Sequence, residues 1–201
     1  LFSKRPITQL EGKKIALTSS SATSVALLKI ILQTFLNVQT EYEVMKPNFY
    51  EMMKEHDACL LIGDDAIRMK WEQPGDIYRY DLGELWYQHT GYPMTYAVFA
   101  IRNELVEKEN ELLTTLYHQI IASKNRCIDE SFIPMISSIE KSIGGTRTFW
   151  ERYFAGLHFD FDEKQQEGLH YYYQLAYDLG LLKKKVTSFS IWGQKEQCHF
   201  S

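Results

Sequence analysis

The sequence predicts an α/β protein built on a parallel sheet. Three observations carry that expectation. Short apolar runs, "KKIALT" (13–18), "YEVM" (42–45) and "DACLLIG" (57–63), have the length of buried strands. The stretches between them have the length and aliphatic content of helices, which gives the order β-α-β-α-β. A chain in that order usually returns by right-handed crossovers, so its strands lie parallel.

Each element follows in turn. After the first strand, residues 22–36 (ATSVALLKIILQTFL) read as a well-buried helix. A second helix begins near Pro47 and turns Phe49, Met52 and Met53 inward. "DIYRYDLGELWYQHTGYP" (76–93) reads as a brief strand and a helix of about two turns, closed by Gly91 with Pro93 beyond. "MTYAVFAI" (94–101) is apolar at nearly every position, the pattern of a strand buried on both faces. From Asn103 to Leu182 the pattern is helical. Leu105, Leu112, Leu113, Leu116 and Ile120 share one predicted helix face, and Leu169, Tyr172, Tyr173, Ala176 and Leu179 share another. Gly144-Gly145 and Gly180 punctuate these helices. The tail "QKEQCHFS" is expected at the surface.

Composition narrows the function. The 201 residues are 45% hydrophobic and 24% charged, values of a globular protein rather than a disordered one. A formal charge of -4 gives no field to attract nucleic acid, and no basic stripe alternates with aromatics. An anionic small molecule therefore needs a local positive site. Cys59, Cys127 and Cys198 lie far apart with no CxxC pair, which supports neither a disulfide framework nor a zinc ribbon and fits a reducing, cytoplasmic setting. No apolar run approaches the ~18 residues of a membrane span. The chain begins at Leu1 with no targeting pattern, so it is expected to be the downstream part of something longer.

Two stretches have the chemistry of a site, each where a strand gives way to a helix. "TSSSATS" (18–24) puts six hydroxyls into seven positions. A helix start carries roughly half a positive charge and several free N–H groups, and added hydroxyls supply donors for carboxylate oxygens. Ser20, Ser21, Thr23 and Ser24 are the candidate substrate-binding residues; Ser20 or Ser21 as a simple helix cap is the competing reading. The second stretch, "IGDDAI" (62–67), ends an apolar strand in Gly63 and two carboxylates. Asp65 reads as a possible cap of the next helix. Asp64 is the candidate catalytic group, able to accept a proton or a hydrogen bond from a ligand. "HFDFD" (158–162) has metal-ligand residue types, but its strict alternation reads as a strand edge. There is no P-loop, GxGxxG, GxSxG or HExxH. No cofactor and no metal are expected.

"LTSSSATSVALLKIIL", "LLIGDDAI" and "YDLGELWYQHTGYPMTYAVFAIRNE" resemble the menaquinone-biosynthesis family of the futalosine route, and within it the chorismate dehydratases. The likeness continues to "GLHFDFDEKQQEGLHYYYQLAYDLGLL". Its most specific run is Asp81-Leu82-Gly83-Glu84 with Trp86, Thr90, Gly91 and Pro93. The resemblance implies a two-lobed, periplasmic-binding-protein-like type II fold with additional C-terminal helices. Residues 8–92 would form an inserted lobe, and 1–7 with 93–201 the remainder of the first, whose upstream part is absent. It implies a lyase that removes water from chorismate, a dicarboxylate, to give 3-[(1-carboxyvinyl)oxy]benzoate without metal, nucleotide or redox cofactor. The base would lie in the missing segment, be Asp64, or be the substrate's own enolpyruvyl carboxylate. The related 1,4-dihydroxy-6-naphthoate synthase resembles the same pattern but places a catalytic histidine where this chain has Gly63. A solute-binding protein for a small carboxylate is the alternative of a different class.

Overall fold

The computed structural model describes residues 1–72, 75–193 and 198–199. It divides into two units, Leu1–Tyr96 with Asp162–Ser201, and Ala97–Phe161.

The first unit is organised by a five-stranded sheet of order β3-β2-β4-β1-β5. Its strands are β1 (Phe2–Ser3), β2 (Lys14–Thr18), β3 (Glu41–Met45), β4 (Ala58–Leu60) and β5 (Tyr78–Arg79). β2 pairs parallel with β3, Thr18 opposite Met45, and parallel with β4, Leu17 opposite Leu60. The parallel β-α-β-α-β core is as the residue pattern predicts. β1 runs antiparallel to both β4 and β5, so β5 points the same way as the three parallel strands.

Alternation along the strands sorts the core into two layers. Ile15, Leu17, Ala58 and Leu60 face α1 (Ala22–Ile30), α4 (Leu82–Thr90) and α9 (Glu163–Asp178), meeting Leu27, Leu28, Trp86, Tyr172 and Leu175. Ala16 and Cys59 face the other side, under Phe49, Met52 and Met53 of α2 (Phe49–Glu55) and Met69 of α3 (Gly63–Glu72). The small side chains of Ala16 and Cys59 leave room for the methionines. α1 continues as a π-helical turn over Ile31–Phe35, which together fill the predicted helix. Gly91 closes α4 at φ 72°, its N–H donating to Tyr87 O, as the glycine stop signal requires.

The second unit is helical: α5 (Asn103–Lys108), α6 (Asn110–Asp129), α7 (Ile133–Ser142) and α8 (Arg147–Ala155). Ile136 and Trp150 form its buried centre, with the Trp150 indole donating to Gly144 O at 2.8 Å. Phe132 and Phe154 stack at 5.2 Å.

Several expectations are corrected. Residues 94–101 form no strand, and residues 96–100 are exposed, Phe99 at 84%. A strand buried on both faces needs a strand on either side to pair with its backbone, and no strand pairs with this run among the described residues. Residues 158–162 also form no strand: Asp162 instead caps α9, accepting from Lys164 N and Gln165 N, and Asp160 accepts from Lys124. The single helix expected through Leu105 and Ile120 breaks at Glu109, and of its apolar face only Leu113 is buried. The reading of the tail falls mostly outside the described residues; the short pair β6 (Ser188–Phe189) and β7 (Cys198–His199) is antiparallel. No helix among the described residues is long and apolar enough to cross a membrane.

Candidate functional site

Four strands that end at one edge, each feeding a helix, bring four helix starts together. Their local chemistry differs. α2 is capped by Asn48 and carries Glu51, α3 carries Asp64 and Asp65, and α4 is capped by Asp81 and carries Glu84. These carboxylates complement the helix dipoles of their own elements and leave no surplus for an anion. α1 has no acidic residue in its first turn. It is the one of the four whose dipole is met by hydroxyls alone.

The turn that leads into α1 is held from several sides. Ser19 N donates to Met45 O at 2.9 Å, tying the turn to the end of β3. Thr18, buried at the end of β2, shares a 2.6 Å hydrogen bond with the Ser20 hydroxyl and accepts from Ser20 N. Ser21 is the helix cap: its Oγ accepts from Ser24 N at 3.1 Å and donates to Ser24 Oγ at 3.0 Å. The capping reading therefore holds for Ser21 and not for Ser20. Thr23 is exposed, its carbonyl accepting from the Tyr172 hydroxyl at 3.2 Å.

Gly63 and Asp64 follow β4, the strand next to β2, at the same edge. Gly63 sits at φ +55°, a left-handed conformation that a side chain would strain. The helix already begins at Gly63, so Asp65 lies inside the first turn rather than capping it. Asp64 is exposed. Asp65 lines a shallow hollow of about 230 Å³ between α2 and α3, with Asn48, Phe49, Leu61 and Arg68. The structure thus gathers all the predicted residues at one edge, in two segments on adjacent strands. No group of His, Cys, Asp and Glu that could hold a metal occurs among the described residues.

Tyr172 is the contributor that residue patterns miss. Its place in the Tyr171–Tyr173 run reads as helix packing, which it also does, against Trp86 at 6.2 Å. Nothing local in sequence joins positions 149 residues apart.

Parallel strands that deliver hydroxyl-bearing and carboxylate-bearing helix starts to one edge define an open-sheet α/β protein. The chain belongs to the menaquinone biosynthesis family, whose pattern it matches over residues 1–178. It is 36% identical over 118 residues to the chorismate dehydratase of Thermus thermophilus, covering 52% of this chain and 42% of that protein. It is 28% identical over 107 residues to the 1,4-dihydroxy-6-naphtoate synthase of the same organism, covering 53% of this chain and 38% of that protein. The chain spans less than half the length of either relative.

Proposed function

We propose that the chain is part of a chorismate dehydratase acting in menaquinone biosynthesis. The observation that carries this reading is the acid-free, hydroxyl-lined start of α1 at the carboxyl edge of the sheet, within a chain of this family. The higher identity to the dehydratase than to the naphthoate synthase supports it, as does Gly63 where the resemblance implies a histidine in the synthase.

Chorismate carries two carboxylates. Ser20, Thr23 and Ser24, with Ser21 capping the helix and orienting Ser24 and with the backbone N–H groups of their turn, clamp one of them and hold the ring out of bulk water. Elimination then removes a ring proton and the neighbouring hydroxyl as one water, and the new double bond completes the aromatic ring. Aromatisation supplies the driving force, so the protein's part is to orient the substrate and assist departure of the hydroxyl. Gly63 lets the backbone approach the substrate closely. The proton goes to Asp64 or to the substrate's own enolpyruvyl carboxylate; the exposure of Asp64 favours the second route for a water-excluded step.

The architecture proposed for the whole enzyme is two-lobed and periplasmic-binding-protein-like, residues 8–92 forming one lobe. The parallel order of β2, β3 and β4 is compatible with it.

The test is to supply chorismate without metal or nucleotide to the complete protein and follow the aromatic enolpyruvyl-benzoate by proton NMR. Product formation is expected. Binding without turnover would instead favour a solute-binding role.

A further inference from the structure

The hydrogen bonds around α1 form a directed chain. The Tyr172 hydroxyl donates to Thr23 O at 3.2 Å. That carbonyl and the N–H of Ser24 belong to one peptide unit, and Ser24 N donates to Ser21 Oγ at 3.1 Å. Ser21 Oγ donates in turn to Ser24 Oγ at 3.0 Å. Every donor points the same way. Ser24 Oγ accepts there and donates to no group among the described residues, which leaves its own proton for a ligand at the first turn of α1.

The geometry points to Tyr172 as a positioning residue that orients and strengthens the Ser24 hydroxyl as a donor to a ligand carboxylate. The inference rests on the carboxylate-clamp reading above. Donors aligned in series polarise one another, so a bond made at the buried end raises the donor strength at the exposed end. The buried end is well built for this. Tyr172 is 6% exposed and braced edge-on by Trp86 at 6.2 Å, which fixes its ring. Burial also pushes its phenol up to about 12, so it remains a donor throughout the neutral range.

The test is a double-mutant cycle in the complete protein that contains this chain, with chorismate affinity read from amide shifts. Tyr172→Phe, which keeps the ring, should weaken binding about threefold to tenfold and move the Ser24 amide proton upfield. Ser24→Ala should weaken binding, and adding Tyr172→Phe to it should cost nothing more. Ser21→Ala breaks the chain at its middle without touching the core, and the same non-additivity with Ser24→Ala is expected there if Tyr172→Phe does not fold. Wild-type affinity in Tyr172→Phe overturns the inference and leaves the clamp standing. An equal further loss in the Ser24→Ala background overturns it too, since Tyr172 would then act through packing alone. A complete wild-type protein that does not bind chorismate overturns both.

Discussion

At the scale of single residues, the start of α1 separates cap from ligand donor. A cap needs one oxygen, which Ser21 provides; Thr23 and Ser24 lie within the helix, where alanine would serve the helix better. Ser24→Ala should therefore leave the melting temperature unchanged or slightly raised while weakening chorismate binding, as calorimetry can check. Unchanged affinity would remove Ser24 from the clamp. Asp64→Asn is expected to keep most of the turnover if the substrate carboxylate takes the proton, and to lose it if Asp64 does. Two buried groups contribute to the loss of stability at alkaline pH. Burial pushes the Cys59 thiol from 9.0 up to about 12, and the Tyr172 phenol from 10.0 up to about 12. Each stays neutral in the fold while the unfolded chain ionises, so its stabilisation is complete below pH 9 or 10 and is lost as pH rises toward 12. Tyr172→Phe should flatten the loss of stability between pH 10 and 12; an unchanged profile would contradict the assignment. The hydroxyl cluster was legible in the sequence because its residues are contiguous. The partner of Thr23 was not, because it comes from α9.

At the scale of elements, α4 shows what local signals can carry. Asp81 accepts from Gly83 N and Glu84 N, Gly91 ends the helix, and Leu82 and Trp86 turn inward one turn apart. Trp86 is fully buried beside Phe35, Tyr171 and Tyr172, yet its indole N–H has no partner among the described residues. Trp86→Ala should cost about 3–5 kcal/mol. Trp86→Phe should cost less than the lost volume alone implies, because it also removes an unsatisfied donor; denaturant midpoints for the pair measure the difference. α9 carries a glycine for a different reason. A Cβ at Gly168 would lie 2.8 Å from Pro93 O and 3.1 Å from Tyr92 Cβ, both rigid parts of the turn after α4. Gly168→Ala should destabilise by about 1–3 kcal/mol in spite of alanine's better helix propensity. A stabilised variant would mean that this turn yields easily. Residues 94–101 mark where element reading failed. Their apolar density matches a central strand, but density does not supply the neighbouring strands that a central strand requires.

At the scale of the whole molecule, parallel pairing does the positioning. Helix lengths between the strands made parallel pairing legible, and parallel pairing sends the starts of α1, α2 and α3 to one edge. Two features were not legible. The antiparallel β1, only two residues long, carries no periodicity to read, yet it sets the direction of β5 and so brings the start of α4 to the same edge. The second unit has apolar residues at helical spacing, but spacing identifies a face without identifying what it packs against: Leu112 and Leu116 are exposed at 62% and 49%. A hollow in that unit, about 590 Å³ and lined by Phe132, Phe154, Leu157 and Phe159 with Ser131 and Glu151, is mostly apolar and brings no cationic side chain to a dicarboxylate. Site and hollow thus make opposite demands on a ligand. The most direct measurement is a chorismate titration of the isotopically labelled complete protein, with every assigned amide of this chain followed. Shifts concentrated at Ser20–Ser24 and at 62–65 are expected. Shifts confined to the hollow around Phe132, or none at all, would contradict the placement of the carboxylate at the start of α1.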